Sequence, residues 1–277
     1  MSTGPRFPHP WDELPWFGTL ADAVARAAGL DLRAYKESAV VRRVRARAKA
    51  LGDEDAEAYA RRVAHDPAEA RRFARSLSVA VSGFFRDPAV FEALGRLLPE
   101  MAAQREGPRG LRLWSVGCSK GQEAYSLAAT MLQARPEPPP FRVLGTDRDE
   151  RALARAREGV YGDRDVEGLP TDLRARVLER AGAGRWRVRA EVRGRVEFRT
   201  ADLLDPASYP ERVDLISCRN VLIYLRRPVQ VWVLEHLASA LAPGGALVLG
   251  TSETLLGLRP ELFVPWDARL RIYRKRG

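Results

Sequence analysis

The residues best placed to do chemistry lie in and directly after a glycine-rich turn. The turn runs from Gly117 to Gly121, between a short apolar stretch over residues 111–116 and a helical pattern over 122–133. Strand, glycine turn and helix in this order form the opening unit of a nucleotide-type α/β fold. In such folds ligands lie beyond the carboxyl ends of the strands, where glycine lets a ligand approach the backbone and the helix start presents free amides. We therefore expect a nucleotide-like ligand at this turn.

Two carboxylates narrow the class of ligand. Asp147 ends the next apolar run, where a carboxylate can accept hydrogen bonds from both hydroxyls of a ribose. Glu123 stands at the helix start, where it would repel a diphosphate. The pair favours an adenosyl ligand that carries an amino acid and a positive charge, such as S-adenosylmethionine. From these residues alone an equal alternative is that Glu123 only offsets the helix dipole and Asp147 only caps the next helix.

Length and composition bound the class of protein. The chain has 277 residues, of which 45% are hydrophobic, which suits one large domain or two moderate ones. No apolar run approaches the roughly 20 residues that span a bilayer, and the first residues lack the hydrophobic core of a signal peptide. Two cysteines suit a reducing compartment, and three scattered histidines argue against a zinc site. We expect a soluble, cytoplasmic protein without a metal.

The charge of the chain indicates an acidic partner. The formal net charge is +10 at pH 7 and the isoelectric point is about 10.2. Such a balance is typical of proteins that bind nucleic acid, an anionic surface or an acidic protein. Since 36 acidic residues are also present, a general bias of composition towards arginine is an equally good interpretation.

The amino-terminal part of the chain is helical in pattern, with stop and start signals at Gly29, Gly52 and Asp66-Pro67. Helices are predicted over residues 19–28, 32–51, 53–65, 67–76 and 89–101. The helix over 32–51 has one acid, Glu37, and seven cations: Arg33, Lys36, Arg42, Arg43, Arg45, Arg47 and Lys49. It can pack by an apolar face and offer cations to an acidic helix bundle or to phosphate. A solvated basic face explains the pattern equally well.

The carboxyl-terminal part continues the α/β pattern. Strands are predicted at residues 196–199, 213–218 and 246–250, with a helix over 228–241 and a last, antiparallel strand within 268–273. The first two of these strands deliver Asp202 and Asn220 to the carboxyl edge, where ligands are expected. Alternating residues from Trp186 to Val192 predict a small β hairpin, inserted before the sheet resumes.

Taken in order, several motifs resemble the CheR-type chemotaxis receptor methyltransferases. They are Phe84-Phe85-Arg86, WSVGCSKGQEAYSLA from Trp114, GTD at 145–147, CRNVLIY at 218–224, APGG at 242–245 and GTSETL at 250–255. The resemblance covers nearly the whole chain. It implies transfer of a methyl group from S-adenosylmethionine to glutamate side chains of a chemoreceptor's cytoplasmic helical domain, giving glutamate methyl esters and S-adenosylhomocysteine.

The resemblance also implies a fold and its division into domains. We expect an α/β fold, a Rossmann-like S-adenosylmethionine-dependent methyltransferase sheet with an N-terminal all-α helical domain and a small β insert. Residues 1–105 would form the helical receptor-recognition domain. Residues 106–277 would form the methyltransferase domain, with the insert at about 182–195.

Roles for individual residues follow from their positions in the family motifs. Arg86 would lie beside the methyl group and orient the incoming carboxylate, and Tyr224 would lie near the same spot; these two are the expected catalytic residues. The expected cofactor-binding residues are Ser82, Arg86, Gly117, Glu123, Asp147, Asp202, Leu203, Asn220 and Val221. Among them Glu123 would hold the amino group of the methionyl part and Asp147 the ribose. Asp202 with Leu203 would face the adenine, Asn220 with Val221 would form the other wall, and Ser82 replaces the family threonine.

Two surfaces match partner sites of the family. The basic helix over 32–51 matches the helix that contacts the receptor. The predicted hairpin matches a subdomain that in some members docks a receptor's C-terminal peptide. We expect a monomer that binds a chemoreceptor and does not insert into the membrane.

Departures from the family pattern leave two other functions open. Lys120, Gln122 and Ala124 replace the usual threonine, glutamate and proline of the glycine loop, and Ala80 replaces an asparagine. One alternative is therefore a degenerate cofactor-binding or receptor-binding module without turnover. The other is an RNA methyltransferase, suggested by the charge and the same cofactor fold. Because the basic helix has no aromatic platform beside it and no Asn-Pro-Pro-Tyr-type sequence is present, we expect no nucleic-acid partner.

Overall fold

The computed structural model describes residues 9–77, 82–104, 109–133, 138–167, 169–255, 259 and 261–276. The chain divides into two compact units, one of Met1–Val79 with Ile223–Val233 and the other of Ala80–Leu222 with Leu234–Gly277. The predicted domain boundary between residues 105 and 106 falls outside the described residues, and so does Ala80. In the part of the chain that is described, no helix combines the length and the apolar character needed to cross a lipid bilayer.

The first unit is built from helices whose ends follow the predicted signals. They are α1 (Pro15–Ala28), α2 (Glu37–Leu51), α3 (Ala56–His65) and α4 (Pro67–Leu77). Gly29 and Gly52 end α1 and α2 in the left-handed conformation that glycine adopts most easily. The Asp55 side chain caps α3 by accepting a hydrogen bond from the Ala58 N–H at 2.7 Å. Side chains such as Phe17, Val44 and Phe73 form the buried core of this unit.

The helix predicted over 32–51 is in fact interrupted. Leu32–Ala34 forms a single 3-10 turn, and α2 begins only at Glu37. Between them Tyr35 is extended and forms an isolated bridge with Leu225, and the Lys36 N–H donates to the Tyr224 carbonyl at 2.9 Å. Pairing with a distant segment therefore overrides the local helical pattern at these two residues.

The second unit is an α/β layer structure. Its elements, with α11 running on from the first unit, are α5 (Pro88–Ala103), β1 (Leu111–Val116), α6 (Gln122–Gln133), β2 (Phe141–Asp147), α7 (Glu150–Glu158), β3 (Val160–Gly162), α8 (Asp163–Val166), α9 (Thr171–Val177), β4 (Leu178–Arg180), β5 (Arg185–Val188), α10 (Ala190–Arg193), β6 (Val196–Thr200), β7 (Val213–Cys218), α11 (Arg227–Ala240), β8 (Leu241–Leu249), β9 (Phe263–Asp267) and β10 (Ile272–Lys275). At the glycine turn, β1 and α6 follow the predicted order of strand, turn and helix.

Seven strands form the main sheet, in the order β6-β2-β1-β7-β8-β10-β9. The strands from β6 to β8 run parallel, whereas β10 is antiparallel to both β8 and β9. The order reverses between β1 and β7, and this switch point is where open α/β sheets bind ligands. The α/β fold class is confirmed, and it places the carboxyl ends of β1, β2, β6 and β7 side by side.

Three features of this unit differ from the sequence-based expectation. The hairpin lies at β4 and β5, and β3 joins it to make a three-stranded sheet in the order β3-β5-β4. Val192 lies in α10 rather than in a strand, and its side chain is buried in the core. The strand predicted at 246–250 begins earlier, at Leu241, and contains an irregularity, because the pairing with β7 shifts from Val213↔Leu241 to Leu215↔Ala246.

Candidate functional site

The glycine turn between β1 and α6 depends on its two glycines. Gly117 and Gly121 have φ angles of 64° and 87°, and Ser119 between them has a φ of 51°. A Cβ atom on Gly117 would lie 2.7 Å from the Cγ2 of Val221, and one on Gly121 would lie 2.8 Å from the Phe198 ring. Side chains at these two positions would therefore clash as well as strain the backbone. Gly117 itself is exposed, so a ligand can reach the main chain there.

Asp147 binds the glycine turn. Its Oδ2 accepts a hydrogen bond from the Ser119 N–H at 2.8 Å, and its Oδ1 accepts one from the Asp149 N–H at 2.9 Å. The cap of α7 is Asp149, whose side chain accepts from the Arg151 N–H, so the alternative in which Asp147 caps this helix is wrong. Burial raises the pKa of the Asp147 carboxyl, and the main-chain hydrogen bonds oppose that rise.

Glu123 does more than offset the dipole of α6. Its Oε1 accepts a hydrogen bond from the Ser115 hydroxyl at 2.8 Å, which fixes the carboxylate to the end of β1. Its Oε2 lies 3.2 Å from Nη1 of Arg219, the residue that directly follows β7. The Glu123 carboxylate therefore connects the carboxyl ends of β1 and β7, which are parallel neighbours in the sheet.

The buried guanidinium of Arg219 is a site residue that the sequence analysis missed. Its side chain is 2% exposed, and its Nη2 donates to the Asp87 carboxylate at 2.6 Å and to the Arg86 main-chain carbonyl at 2.7 Å. With the contact to Glu123, Arg219 joins the loop that carries Arg86 to the glycine-turn helix. An arginine placed directly after a fully buried strand was the available signal, because a buried cation requires acidic partners.

The turn around Arg86 is fixed on both sides. Phe85 and Asp87 have φ angles of 49° and 60°, which is the left-handed region that non-glycine residues seldom adopt. The Phe85 N–H donates to the Ser126 hydroxyl on α6 at 2.9 Å, and the Phe85 ring is buried. The Arg86 side chain between these anchors is exposed. The sharp turn therefore presents one cation at a defined place.

Glu253 is the second residue that the sequence analysis missed. Its carboxylate is buried and accepts hydrogen bonds from three main-chain N–H groups, those of Asn220 and Val221 at 2.9 Å and that of Gly250 at 2.7 Å. Asn220 has a φ of 60°. Because a charged acceptor holds all three amides, Glu253 fixes the loop after β7 to the end of β8. The GTSETL motif contained this residue, but nothing local in the sequence indicated its partners.

Asp202 and Leu203 follow β6 and lie beside Asp147. The Ala201 N–H donates to the Asp147 carbonyl at 3.0 Å, which brings the two strand ends together. The Asp202 carboxylate lies 3.2 Å from Nε of Arg148 and accepts from the Leu204 N–H at 2.9 Å. The Tyr209 hydroxyl donates to the Leu203 carbonyl at 2.6 Å. The loop after β6 is thus fixed internally.

The unusual residues of the glycine turn lie in different surroundings. Gln122 is fully buried, and its Nε2 donates to the Ser82 carbonyl at 3.3 Å. A glutamate there would place a second buried carboxylate next to Glu123. The Lys120 carbonyl accepts a hydrogen bond from the Tyr161 hydroxyl at 2.6 Å, and Ala124 packs in the core. The Gln122 Oε1 is buried and has no hydrogen-bond partner among the described residues.

Neither cysteine is suited to act as a nucleophile. Cys118 in the glycine turn and Cys218 at the end of β7 are both buried and unpaired. Burial raises the pKa of each thiol well above its usual value, which keeps the thiol protonated near neutral pH. No group of three or more His, Cys, Asp or Glu side chains among the described residues could hold a metal ion.

The structure brings most of the predicted site residues to one edge of the sheet. The residues at the carboxyl ends of β1, β2, β6 and β7, or in the segments that follow them, are Gly117, Glu123, Asp147, Asp202, Leu203, Asn220 and Val221. Arg86 and Ser82 join them through Arg219 and Gln122. Tyr224 lies in the first unit, where its carbonyl accepts from Lys36. The roles assigned to these residues stay predictions.

The donor set suits S-adenosylmethionine. The exposed backbone at Gly117 admits a close ligand, and a Cβ there would meet Val221. Glu123 supplies a carboxylate for an ammonium group, and Asp147 supplies one for ribose hydroxyls. A diphosphate would meet these two negative charges instead of cations, so it fits poorly.

Comparison with known proteins agrees with this geometry. Residues 80–268 match the family model described as CheR methyltransferase, SAM binding domain, and residues 16–78 match the model described as CheR methyltransferase, all-alpha domain. S-adenosylmethionine is therefore the cofactor of this fold.

Three relatives illustrate the similarity. "Chemotaxis protein methyltransferase 2" of Pseudomonas aeruginosa is 33% identical, over 87% of this chain and 86% of the relative. "Probable biofilm formation methyltransferase WspC" of Pseudomonas aeruginosa is 34% identical, over 84% of this chain and 56% of the relative. "Chemotaxis protein methyltransferase" of Vibrio parahaemolyticus is 39% identical, over 63% of this chain and 65% of the relative.

The last two relatives are matched over less than two thirds of their own length. The two family models, in contrast, follow one another along nearly all of this chain. Together with the glycine turn, the two carboxylates and the sheet order, they show that the chain belongs to the CheR family of S-adenosylmethionine-dependent methyltransferases.

Proposed function

We propose that this chain methylates glutamate side chains on the cytoplasmic helical domain of a chemoreceptor, giving glutamate methyl esters and S-adenosylhomocysteine. The observation that carries the proposal is the link made by Arg219, which ties the turn presenting Arg86 to the carboxylate of Glu123. Arg219 thereby connects two groups of the proposed site. One is Arg86, a cation suited to an incoming carboxylate, and the other is Glu123, a carboxylate suited to the amino group of the cofactor.

The proposed division of labour follows the position of each side chain. Glu123 would bind the amino group, Asp147 the ribose, and Asp202 with Leu203 the adenine side. Gly117, Ser82, Asn220 and Val221 would form the remaining walls of the cofactor site. When bound, S-adenosylmethionine supplies a methyl group activated by its positively charged sulfur.

The chain itself has little proton chemistry to perform. A glutamate carboxylate is already ionised near neutral pH, so no general base is required. Positioning and exclusion of water then account for most of the catalysis. Arg86 would orient the substrate carboxylate by charge-assisted hydrogen bonds, and Tyr224 would assist near the same place.

A cationic stripe on α2 supports an acidic helical partner. Arg42, Arg45 and Lys49 are exposed, follow one another at intervals of three and four residues, and make no ion pair with a described residue. In contrast, Arg47 is turned inward, where Nε and Nη2 bind the buried Glu69 carboxylate at 2.9 and 2.6 Å. Arg33 pairs with Asp12 at 2.7 Å. Only part of the basic sequence over 32–51 is therefore offered to a partner.

Reversing this stripe tests the assignment of the partner. We expect Arg42→Glu with Arg45→Glu to raise the KM for receptor about tenfold or more, because attraction becomes repulsion. The affinity for S-adenosylhomocysteine should stay unchanged. Methyl transfer is measured against receptor concentration at low and moderate salt. Arg71→Glu, an exposed reversal on α4, is the matched control; an equal effect from it would indicate a general charge effect and contradict a specific role of α2.

The nature of the product tests the proposed function itself. Label from methyl-labelled S-adenosylmethionine should appear on a receptor cytoplasmic fragment and be released as methanol by mild alkali, because carboxyl esters are base-labile. A receptor whose candidate glutamates are replaced by alanine should take up no label. Label that survives alkali would overturn the assignment to a carboxylate. Receptor binding without any transfer would favour the degenerate module instead.

The names of the relatives cover two kinds of signalling, chemotaxis and biofilm formation. We assign the substrate as a receptor of the chemoreceptor type in either case. Purified cytoplasmic fragments of receptors encoded by the same organism are therefore the substrates to assay first.

A further inference from the structure

Three arginines lie side by side at the amino edge of the main sheet. Arg112 on β1 pairs in register with Arg142 on β2, and the pairing of Val143 with Val196 puts Arg195 beside Arg142. Side chains alternate between the faces of a strand, so Arg112 and Arg142 share their face with Trp114 and Leu144 and not with Leu113, which packs towards α6. Arg195 directly precedes β6. We call Arg112, Arg142 and Arg195 the arginine row.

This face lacks the helix that parallel strands usually place over it. The connection from β6 to β7 spans residues 201–212 and contains one 3-10 turn, Pro206–Ser208, and no α-helix. Tyr209 from this connection packs against Trp114 at a ring distance of 5.0 Å and covers the part of the face near the carboxyl edge. The part near the amino edge is left as a cavity of about 490 Å³. The arginine row, Glu197, Arg199 and Pro210 are among its lining residues.

The charges of the arginine row are not balanced by carboxylates. Nη1 of Arg112 donates to the Glu211 carbonyl at 2.8 Å, and Nη1 of Arg142 donates to the Gly194 carbonyl. Arg195 lies over the Phe141 ring at 5.3 Å. No carboxylate of a described residue lies within ion-pairing distance of these three guanidinium groups.

The nearby acids are already engaged. Glu197 binds Arg199 at 2.7 Å. Asp214, on the strand next to Arg112, accepts the Arg112 main-chain N–H at 2.7 Å. Each arginine of the row therefore keeps N–H donors that are free to bind a ligand. These donors belong to a planar guanidinium group that is always positively charged.

Like charges at paired positions of neighbouring strands destabilise a sheet. Strands lie about 4.8 Å apart, so the Cα atoms of the three arginines lie within about 10 Å of one another, and all three residues line the cavity. One carboxylate offers a single negative charge to such a row, whereas a diphosphate offers about two to three charges on several acceptor oxygens. We propose that the arginine row is a second ligand site, which binds the phosphate groups of a small molecule such as a diphosphate.

The second ligand site is separate from the cofactor site. The arginine row lies at the beginning of β1 and β2, and Gly117 and Asp147 lie at their ends. Arg112 is five residues before Gly117, and Arg142 is five residues before Asp147, which corresponds to about 17 Å along the strands. The charges also differ, because the carboxyl edge presents Glu123 and Asp147 and the amino edge presents arginine.

Titration with inorganic pyrophosphate tests the proposal. The full chain is first saturated with S-adenosylhomocysteine, so that the cofactor site does not contribute, and binding is then measured by calorimetry. We expect saturable binding that weakens as salt is raised. Arg142→Gln should weaken it about tenfold, and Arg142→Gln with Arg195→Gln about a hundredfold. Retained affinity for S-adenosylhomocysteine shows that each variant is folded.

The matched control is Arg71→Gln, which removes one exposed positive charge from α4 and should leave pyrophosphate binding unchanged. Pyrophosphate that binds the double variant as tightly as the unmodified chain overturns the proposal. So does pyrophosphate that binds no better than sulfate. A hexaglutamate peptide that binds the arginine row more tightly than pyrophosphate does would also overturn it, in favour of an acidic protein segment.

Discussion

Replacing Arg219 by methionine is expected to weaken S-adenosylhomocysteine binding at least tenfold and to lower the free energy of unfolding by about 3 kcal/mol. The guanidinium is almost fully buried and lies between the carboxylates of Asp87 and Glu123. Removing it leaves two partly buried negative charges without their cation, and Glu123 loses the partner that orients it. The affinity is measured by calorimetry, and the stability by denaturant unfolding.

Two further variants separate the structural part of this effect from the functional part. Asp87→Asn weakens only the contact on the Arg86 side, so we expect a lower transfer rate with nearly unchanged affinity for S-adenosylhomocysteine. Arg219→Lys keeps the charge but loses the planar fork that reaches Asp87, Glu123 and the Arg86 carbonyl together, so it should fall between the unmodified chain and methionine. If Arg219→Met is less stable yet binds and turns over normally, the link has no part in function.

The contacts of Arg219 show which parts of the site could be predicted from the sequence and which could not. The glycine turn and the carboxylates at 123 and 147 were predictable, because one short segment contains strand, turn and helix in order. The partners of Arg219 are 96 residues away at Glu123 and 132 residues away at Asp87. No local pattern records a contact over that distance, and only the sheet order brings the two ends together.

Long-range pairing also explains the errors in secondary structure. The basic segment over 32–51 has a continuous helical pattern, yet Tyr35 pairs with Leu225 and stops it. Strands β3, β4 and β5 have three or four residues each, too few for alternation to locate their ends. Asp147 was a candidate for the cap of α7, but the cap is Asp149, because the Asp147 carboxylate binds the glycine turn.

The structure gives a physical reason for the glutamine at position 122 of the glycine turn. Loss of the family glutamate at 122 looks severe in the sequence, because it removes a charge next to Glu123. In the structure Gln122 is fully buried, where an amide costs less to bury than a second carboxylate. Glu123, the carboxylate proposed to bind the amino group of the ligand, has two partners, the Ser115 hydroxyl and the Arg219 guanidinium.

Arg86→Ala is the variant that most directly tests the proposed chemistry. We expect kcat/KM for receptor methylation to fall by about a hundredfold or more, which corresponds to roughly 3 kcal/mol of transition-state stabilisation. The reason is that the side chain, in the proposal, orients the attacking carboxylate. Affinity for S-adenosylhomocysteine should change by only a few-fold, since Arg219 holds the main-chain carbonyl of residue 86 and not its side chain.

Arg86→Lys is the matched control, because it keeps a cation but gives up the paired N–H groups of arginine. It should restore part of the rate and raise the KM for receptor more than it changes the affinity for S-adenosylhomocysteine. Single-turnover measurements with preloaded cofactor separate substrate orientation from cofactor binding. A loss of S-adenosylhomocysteine binding equal to the loss of rate would contradict a role confined to the substrate carboxylate. It would place the Arg86 side chain in the cofactor site instead, and the orienting group would then have to be sought among the other residues of the carboxyl edge.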